Sequence, residues 1–152
     1  MVLLPTNKMQ LWLGNAGPSK PEESHYELAC DIKGFCGTLT INDIQAFVVA
    51  DESNPTTWIP NSEGGQLIRW MAANSEEQLI STAKTIMEKQ HLDSVVYFDS
   101  AQGEHHLFDS VHSGTENHES IKVELKSNKS EIRTYFAKKE TVWLVVHDFK
   151  KC

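Results

Sequence analysis

Apolar and polar positions change rhythm along this chain, and the rhythm predicts its elements. Over residues 76–90, Leu79, Ile80, Ala83, Ile86 and Met87 fall at i, i+1, i+4, i+7 and i+8, one apolar stripe of a helix. Ser75 with Gln78 three residues on is a capping-box pattern, and Glu76 and Glu77 suit the positive end of the helix dipole. Elsewhere the period is two. Residues 34–41 carry Phe35, Leu39 and Ile41 at even spacing, and 46–50 is an apolar run. The interval 42–45 makes that pair a hairpin with a somewhat long turn. Residues 66–73 read as a strand with Leu67, Arg69 and Met71 on one side and Ile68, Trp70 and Ala72 on the other. Five more strands are predicted at 94–99, 104–111, 121–126, 131–137 and 141–149, with hairpin turns at 101–104 and 137–140. The last of them is apolar on both faces, the mark of a central strand covered from two sides.

Between these segments the pattern breaks down. Residues 9–14 alternate loosely and end on Gly14, which predicts a short strand. A short helix is expected over 22–30, with Pro21 fitting its first turn and Tyr26, Ala29 and Cys30 on one face. Residues 51–65, with two prolines and the Gly64-Gly65 pair, read as a loop, and 113–120 as a polar, exposed connection. The fold class that results is α+β. It is a mostly antiparallel β-sheet of about eight strands, folded into two layers or a half-barrel, with one principal amphipathic helix packed on it.

With 152 residues the chain fits a single domain, 1–152, able to bury a core of its own. Apolar runs such as 143–146 are too short to span a bilayer. Residues 1–4 are apolar but lack a basic lead and a long apolar core, so no secretory signal is read there and a cytoplasmic location is expected. Cys30, Cys36 and Cys152 make no disulfide framework, and Cys30 and Cys36 are expected as buried free thiols. Charge is unevenly spread: residues 1–120 hold 6 Lys/Arg against 17 Asp/Glu, and residues 121–152 hold 8 against 4. An acidic body repels nucleic acid and anionic membranes and attracts a basic partner.

Candidate chemistry is sparse. His105, His106, Asp109, His112 and His118 cluster in sequence, and imidazole with carboxylate suits zinc-like metals. On a strand, however, His106 and His112 would face one way and His105 and Asp109 the other. A small metal-dependent or acid–base enzyme using 105–112 is the alternative this cluster offers. Asp109, Ser110 and His112 spell a triad on paper, but neighbours along a strand do not converge. There is no GxSxG, no signature around Cys36 and no phosphate cradle at 61–65. No catalytic residue, metal ligand or cofactor is assigned. Trp58 either packs or anchors a partner, and Arg69 is placed to pair with Asp51 or Glu52 across neighbouring strands.

An ordered set of short patterns does carry a resemblance. It comprises Trp12-x-Gly14, Tyr26-x-x-Ala29-Cys30, Asp51-Glu52, Pro55-Thr56-Thr57-Trp58-x-Pro60, Gly64-Gly65, Arg69-Trp70, Ala73-x-Ser75-Glu76 and Leu107-Phe108-Asp109-Ser110. In these, and in a closing hairpin over 121–149, nearly the whole chain resembles immunity protein family 21 of bacterial polymorphic toxin systems. The front end is abbreviated, Ala50 and Ser53-Asn54 stand where a Gly-Asp-Glu-Pro-like turn is expected, and the Lys-rich tail is this chain's own. The resemblance implies a non-enzymatic inhibitor that binds and neutralises a cognate toxin domain, a basic protein on the charge argument. Expected contacts are the acidic groups Glu22, Glu23, Asp51, Glu52 and Glu63, with Trp58 as an aromatic anchor.

Overall fold

The structure, a computed structural model, describes residues 1–16, 24–51, 54–87 and 92–152. Its strands are β1 (Val2–Pro5), β2 (Cys36–Ile41), β3 (Ile44–Val49), β4 (Thr56–Pro60), β5 (Gly64–Ala72), β6 (Ser94–Asp99), β7 (Gly103–Phe108), β8 (Ser120–Leu125), β9 (Lys129–Lys139) and β10 (Val142–Lys151). The helices are α1 (His25–Cys30) and α2 (Glu76–Met87), with a 3-10 segment at Thr6–Leu11. Every strand pairing is antiparallel. The strands divide into sheet I, in the order β2-β3-β1-β7-β8, and sheet II, in the order β4-β5-β10-β9-β6.

The core is packed between and outside these sheets. Leu3, Phe47, Leu67, Phe98, Leu107, Ile132 and Phe149 meet where the inner faces appose. Phe47 is central there, its ring 5.3 Å from Phe149, 5.8 Å from His147 and 5.9 Å from Phe98. Outside sheet I, Trp12 and Ala29 close over Val2, Leu4, Val48 and Phe108. Outside sheet II, Leu79, Ala83 and Ile86 of α2 cover Ile68, Ala137, Leu144 and Val146. The layering is therefore helix, sheet, sheet, helix. Each large side chain moved from water into these layers contributes about 1.5–3 kcal/mol of transfer free energy.

Local chemistry sets the helix boundaries. Ser24 caps α1: its hydroxyl accepts from the Glu27 amide at 3.1 Å, and the Glu27 carboxylate accepts from the Ser24 amide at 2.6 Å. At α2 the Gln78 amide donates to Ser75 Oγ at 3.2 Å, but the Gln78 side chain accepts from Asn74 instead of Ser75. The predicted end of this helix, 88–90, lies outside the described residues, as does Pro21.

Several expectations are corrected. Among the described residues there are ten strands in two open sheets, not about eight in one sheet; of the two arrangements expected, two layers form and a half-barrel does not. β1 was not foreseen, because four apolar residues at a chain start show no alternation; both faces of β1 are buried, so none is needed. Residues 9–14 are not a strand. They belong to the 3-10 segment and a tether in which Trp12 Nε1 donates to the Ser110 carbonyl at 2.9 Å. The loop read over 51–65 contains β4, an edge strand whose Thr56, Thr57 and Ile59 pair with β5. Pro60 fits there because an edge strand tolerates the missing N–H. The segment 101–104 is no hairpin turn: β6 pairs with β9 in sheet II and β7 with β1 and β8 in sheet I, so the chain changes sheets there. The β2–β3 turn is shorter than expected, two residues with Asn42 and Asp43 at φ 46° and 67°, both signs that a type I′ hairpin demands. Of the thiols only Cys36 is buried; Cys30 and Cys152 are exposed. β10 is central in sheet II, between β5 and β9, as its two-faced apolar pattern predicts.

Candidate functional site

Sheet strands bring a line of polar side chains into the sandwich. Arg69 on β5 has no exposed surface, and its Nη2 lies 3.1 Å from Asp51 Oδ1. Of the two partners expected for Arg69 the contact is with Asp51, at the exit of β3, and it spans the two sheets and not neighbouring strands of one. Burial pushes the Asp51 carboxyl up, and the guanidinium beside it opposes that shift. Deeper in, the Cys36 thiol and Thr134 hydroxyl lie 3.2 Å apart, and Thr134 Oγ1 is 3.0 Å from His147 Nδ1. Burial and the positive field of Arg69 push the His147 pKa down to about 3, so the ring is neutral. Among the described residues its Nε2 finds no hydrogen-bond partner. The Cys36–Thr134 contact links β2 of sheet I to β9 of sheet II, and burial raises the Cys36 thiol.

One pocket of about 470 Å³ opens beside this line, between α1, β3 and the segment after β7. Asp51, Asp109, Tyr26 and Cys30 stand on its wall. Burial raises Asp51, and a hydrogen bond with Cys30 raises the Tyr26 phenol. Asp109 is used locally, its Oδ1 accepting from the Val111 amide at 3.1 Å. The wall carries two carboxylates, Asp51 and Asp109, and the Met1 amino group, whose pKa burial and Arg69 lower to about 6.

His105 and His106 separate as strand geometry requires, but β7 ends at Phe108 short of the expected 111, so Asp109 and His112 lie beyond the strand and His112 stacks on His118 at 5.9 Å. His105 is buried on the inner face; its Nδ1 donates to the Gly103 carbonyl at 2.9 Å, which leaves Nε2 to accept from Ser100 Oγ at 2.7 Å. His106 faces outward beside Glu104 and Ser120. His112 is 3.0 Å from Glu116, and His118 stacks on Phe108 at 4.5 Å. Among the described residues no three His, Cys, Asp or Glu side chains gather as a metal cage. Asp109, Ser110 and His112 do not converge either, since His112 is turned to Glu116.

The expected contact residues fall in different places. Glu22, Glu23 and Glu52 lie outside the described residues. Asp51 is taken up by Arg69. Glu63 is exposed in the β4–β5 turn, 3.5 Å from Lys151. Trp58 is half-buried against the inter-sheet core, edge-on to Phe149 at 5.6 Å. Its ring also explains Gly65, where an added Cβ would come within 2.4 Å of the indole.

Residues 1–142 match the family described as immunity protein 21. The chain belongs to that family. No curated protein and no solved structure matches it. The patterns of the immunity family that read as short motifs in sequence have structural roles here. Trp12 is the fully buried tether of the sheet I cover, Trp58 and Gly65 make one contact, and Arg69 and Asp51 make one ion pair. The match stops at 142, yet β10 beyond it runs through the middle of sheet II. No helix among the described residues is long and apolar enough to cross a membrane.

Charge sorts by sheet. Segments 1–16, 24–50 and 103–128, which build sheet I and its cover, hold four Lys and eight Asp/Glu. The remaining described residues hold eight Lys/Arg and nine Asp/Glu. The acidic surplus therefore sits on the sheet I half. Asp51, Trp58 and Glu63 lie elsewhere, along the β4–β5 border of sheet II. The signal that could have separated these sites is strand pairing, which carries the basic tail into sheet II.

Proposed function

We propose that this member of the immunity protein 21 family binds the cognate toxin domain of a polymorphic toxin system and neutralises it in the cytoplasm of the producing cell, without chemistry of its own. The observation that carries the reading is the family match over residues 1–142. The acidic surplus on the sheet I half supports a basic toxin as partner. Such a surface raises the association rate and the local concentration of a positively charged protein, an effect that salt screens. An acidic inhibitor of this kind would occupy a groove made for phosphates. Glu22, Glu23, Glu52 and Glu63 supply charge near the contact, and Asp51 orders its loop through Arg69.

The test is titration of the purified chain with the domain encoded at the end of the neighbouring secreted protein. Binding is expected to be nanomolar or tighter at low salt, with an association rate that falls as salt is added. An absence of complex at low salt would overturn the reading, and so would turnover of a small molecule that depends on the chain's own side chains.

A further inference from the structure

Among the described residues each sheet ends in two edge strands, β2 and β8 in sheet I and β4 and β6 in sheet II. An edge turns a row of N–H and C=O groups outward, and proteins blunt such rows with proline, charge or cover. Three of the four are blunted. β4 ends on Pro60, β8 exposes Lys122 and Glu124, and β2 keeps its large apolar side chains from full exposure. β6 is different. Its sequence, Ser-Val-Val-Tyr-Phe-Asp, holds no proline, glycine or lysine, and all but its end residues are β-branched or aromatic. Val95 and Tyr97 are 41% and 57% exposed.

Pairing with β9 fixes which backbone groups of β6 point outward. Asp99 lies opposite Lys129, and the Ser100 amide donates to the Asn128 carbonyl at 3.0 Å. Antiparallel bonding alternates from that pair, so the amides and carbonyls of Val95, Tyr97 and Asp99 turn away from β9. The Asp99 amide bears this out by donating to Gln45 Oε1 of β3 at 2.9 Å, which closes the edge at that end. Among the described residues no hydrogen bond reaches the outward amide of Val95 or Tyr97. The side chains of Val95, Tyr97 and Asp99 share the outer face of sheet II, and Asp93 stands exposed at the strand's entry. No Lys or Arg lies between Leu92 and Glu104. On β9 beside them, Lys129 is 3.4 Å from Asp99 and Arg133 is held by Glu131, so both cations are matched.

We propose that the toxin domain docks on β6 by adding an extended segment of its own to sheet II as a sixth strand. The inference rests on the toxin-binding reading and adds to it the contact edge and the form of the partner. A row of outward amides and carbonyls is satisfied by a strand about 4.8 Å away, whereas a helix has spent its backbone groups on itself. Charge selects the strand. In a second copy of this chain, the antiparallel register that lets Val95 meet Tyr97 also sets Asp93 against Asp99 at both ends, and like charges directly opposite are destabilising. A toxin segment with apolar residues between two Lys or Arg, spaced as Asp93 and Asp99 are, meets the edge residue for residue and matches the basic partner read above.

Val95→Pro in the full chain is the direct probe. It deletes an outward amide that β9 does not use, and an edge strand tolerates proline. Binding of the neighbouring-frame toxin domain should weaken about tenfold or more. In the wild-type complex the Val95 and Tyr97 amides should exchange with solvent at least about tenfold more slowly than in the free chain. Asp93→Lys combined with Asp99→Lys should weaken binding about tenfold at low salt and less as salt is added. If the wild type binds, but a folded Val95→Pro binds as tightly or the two amides exchange as fast as in the free chain, the edge proposal falls and the toxin-binding reading stands. Should Val95→Pro not fold, amide exchange in the wild-type complex decides by itself. Unchanged binding by the charge-reversed variant overturns the basic-ended strand. If the wild type does not bind, both readings fall. A concentration-dependent dimer of the chain alone that Val95→Pro abolishes would assign the edge to a second copy and overturn the proposal.

Discussion

Sheet I and sheet II are closed on their outer faces by the same device and differ in what they leave open. Sheet I has strands of 4 to 6 residues and is covered by the six-residue α1 and the 3-10 segment. Sheet II has strands of 5 to 11 residues under the 12-residue α2. Short strands end where the core ends, so their apolar side chains are used up in packing. Long strands run past the core, and the alternation that buries Ile132 and Thr134 also carries Phe136 and Lys138 into the open. The comparison teaches that the exposure of Phe136 and Trp143 goes with the length of β9 and β10 and not with a failure of the core. Charge follows a similar division: the acidic surplus lies with the short strands, and the balanced, lysine-rich part with the long ones.

The strongest way to break this comparison is at the ion pair that ties sheet II to the exit of β3. Arg69→Ala leaves Asp51 buried without its cation and should destabilise the chain by about 3–5 kcal/mol, read as a lower urea midpoint. Two variants on β5 sharpen the contrast between covered and uncovered positions. Leu67→Ala should cost about 2–5 kcal/mol, because it leaves a cavity between the sheets. Met71→Ala should cost less than about 1 kcal/mol in the same assay, as surface substitutions do. Equal losses at the two positions would show that Met71 is packed as Leu67 is.

Acid probes the buried imidazoles. Burial and Arg69 hold the His147 pKa at about 3, below its ordinary 6.5. As pH falls, the unfolded chain takes the proton first. The contribution to stability is therefore full above about pH 6.5 and is lost as pH drops from there toward 3. The expected loss between pH 7 and pH 5 is about 2 kcal/mol, with burial of His105 acting in the same direction. His147→Gln should flatten that part of the urea-stability profile against pH. A smaller effect belongs to the cover of sheet I. Ser24→Ala removes the α1 cap and should cost about 1 kcal/mol, seen as a drop of a few degrees in the thermal midpoint.

Legibility in the sequence varied with how much of an element's environment is local. α2 was readable because one face of one helix is buried and its start is capped by its own residues. β10 was readable because a strand covered on both faces is apolar throughout. β4 was hidden by its prolines, which mark a loop in isolation and an edge strand once β5 lies beside it. β1 was hidden by its brevity. For the candidate site, the Arg69–Asp51 pairing was expected between neighbouring strands, whereas it bridges β5 of sheet II and the exit of β3 in sheet I. The half-buried placement of Trp58 followed only from the β4–β5 pairing, which lays its indole over Gly65, diagonal to it on β5. Met71 was placed in the sequence on the face of Leu67 and Arg69, but nothing local says that this face runs out of cover.

By itself, the order of residues determined the antiparallel α+β class, the amphipathic helix, the immunity-family membership and the uneven charge, since each depends on period, composition or motif along the chain. Only the tertiary structure decided that the strands split into two sheets, that 101–104 crosses between them and that the basic tail lies in the middle of sheet II. Those outcomes depend on which strands pair and how far each overlaps its neighbour, interactions between residues up to about a hundred positions apart.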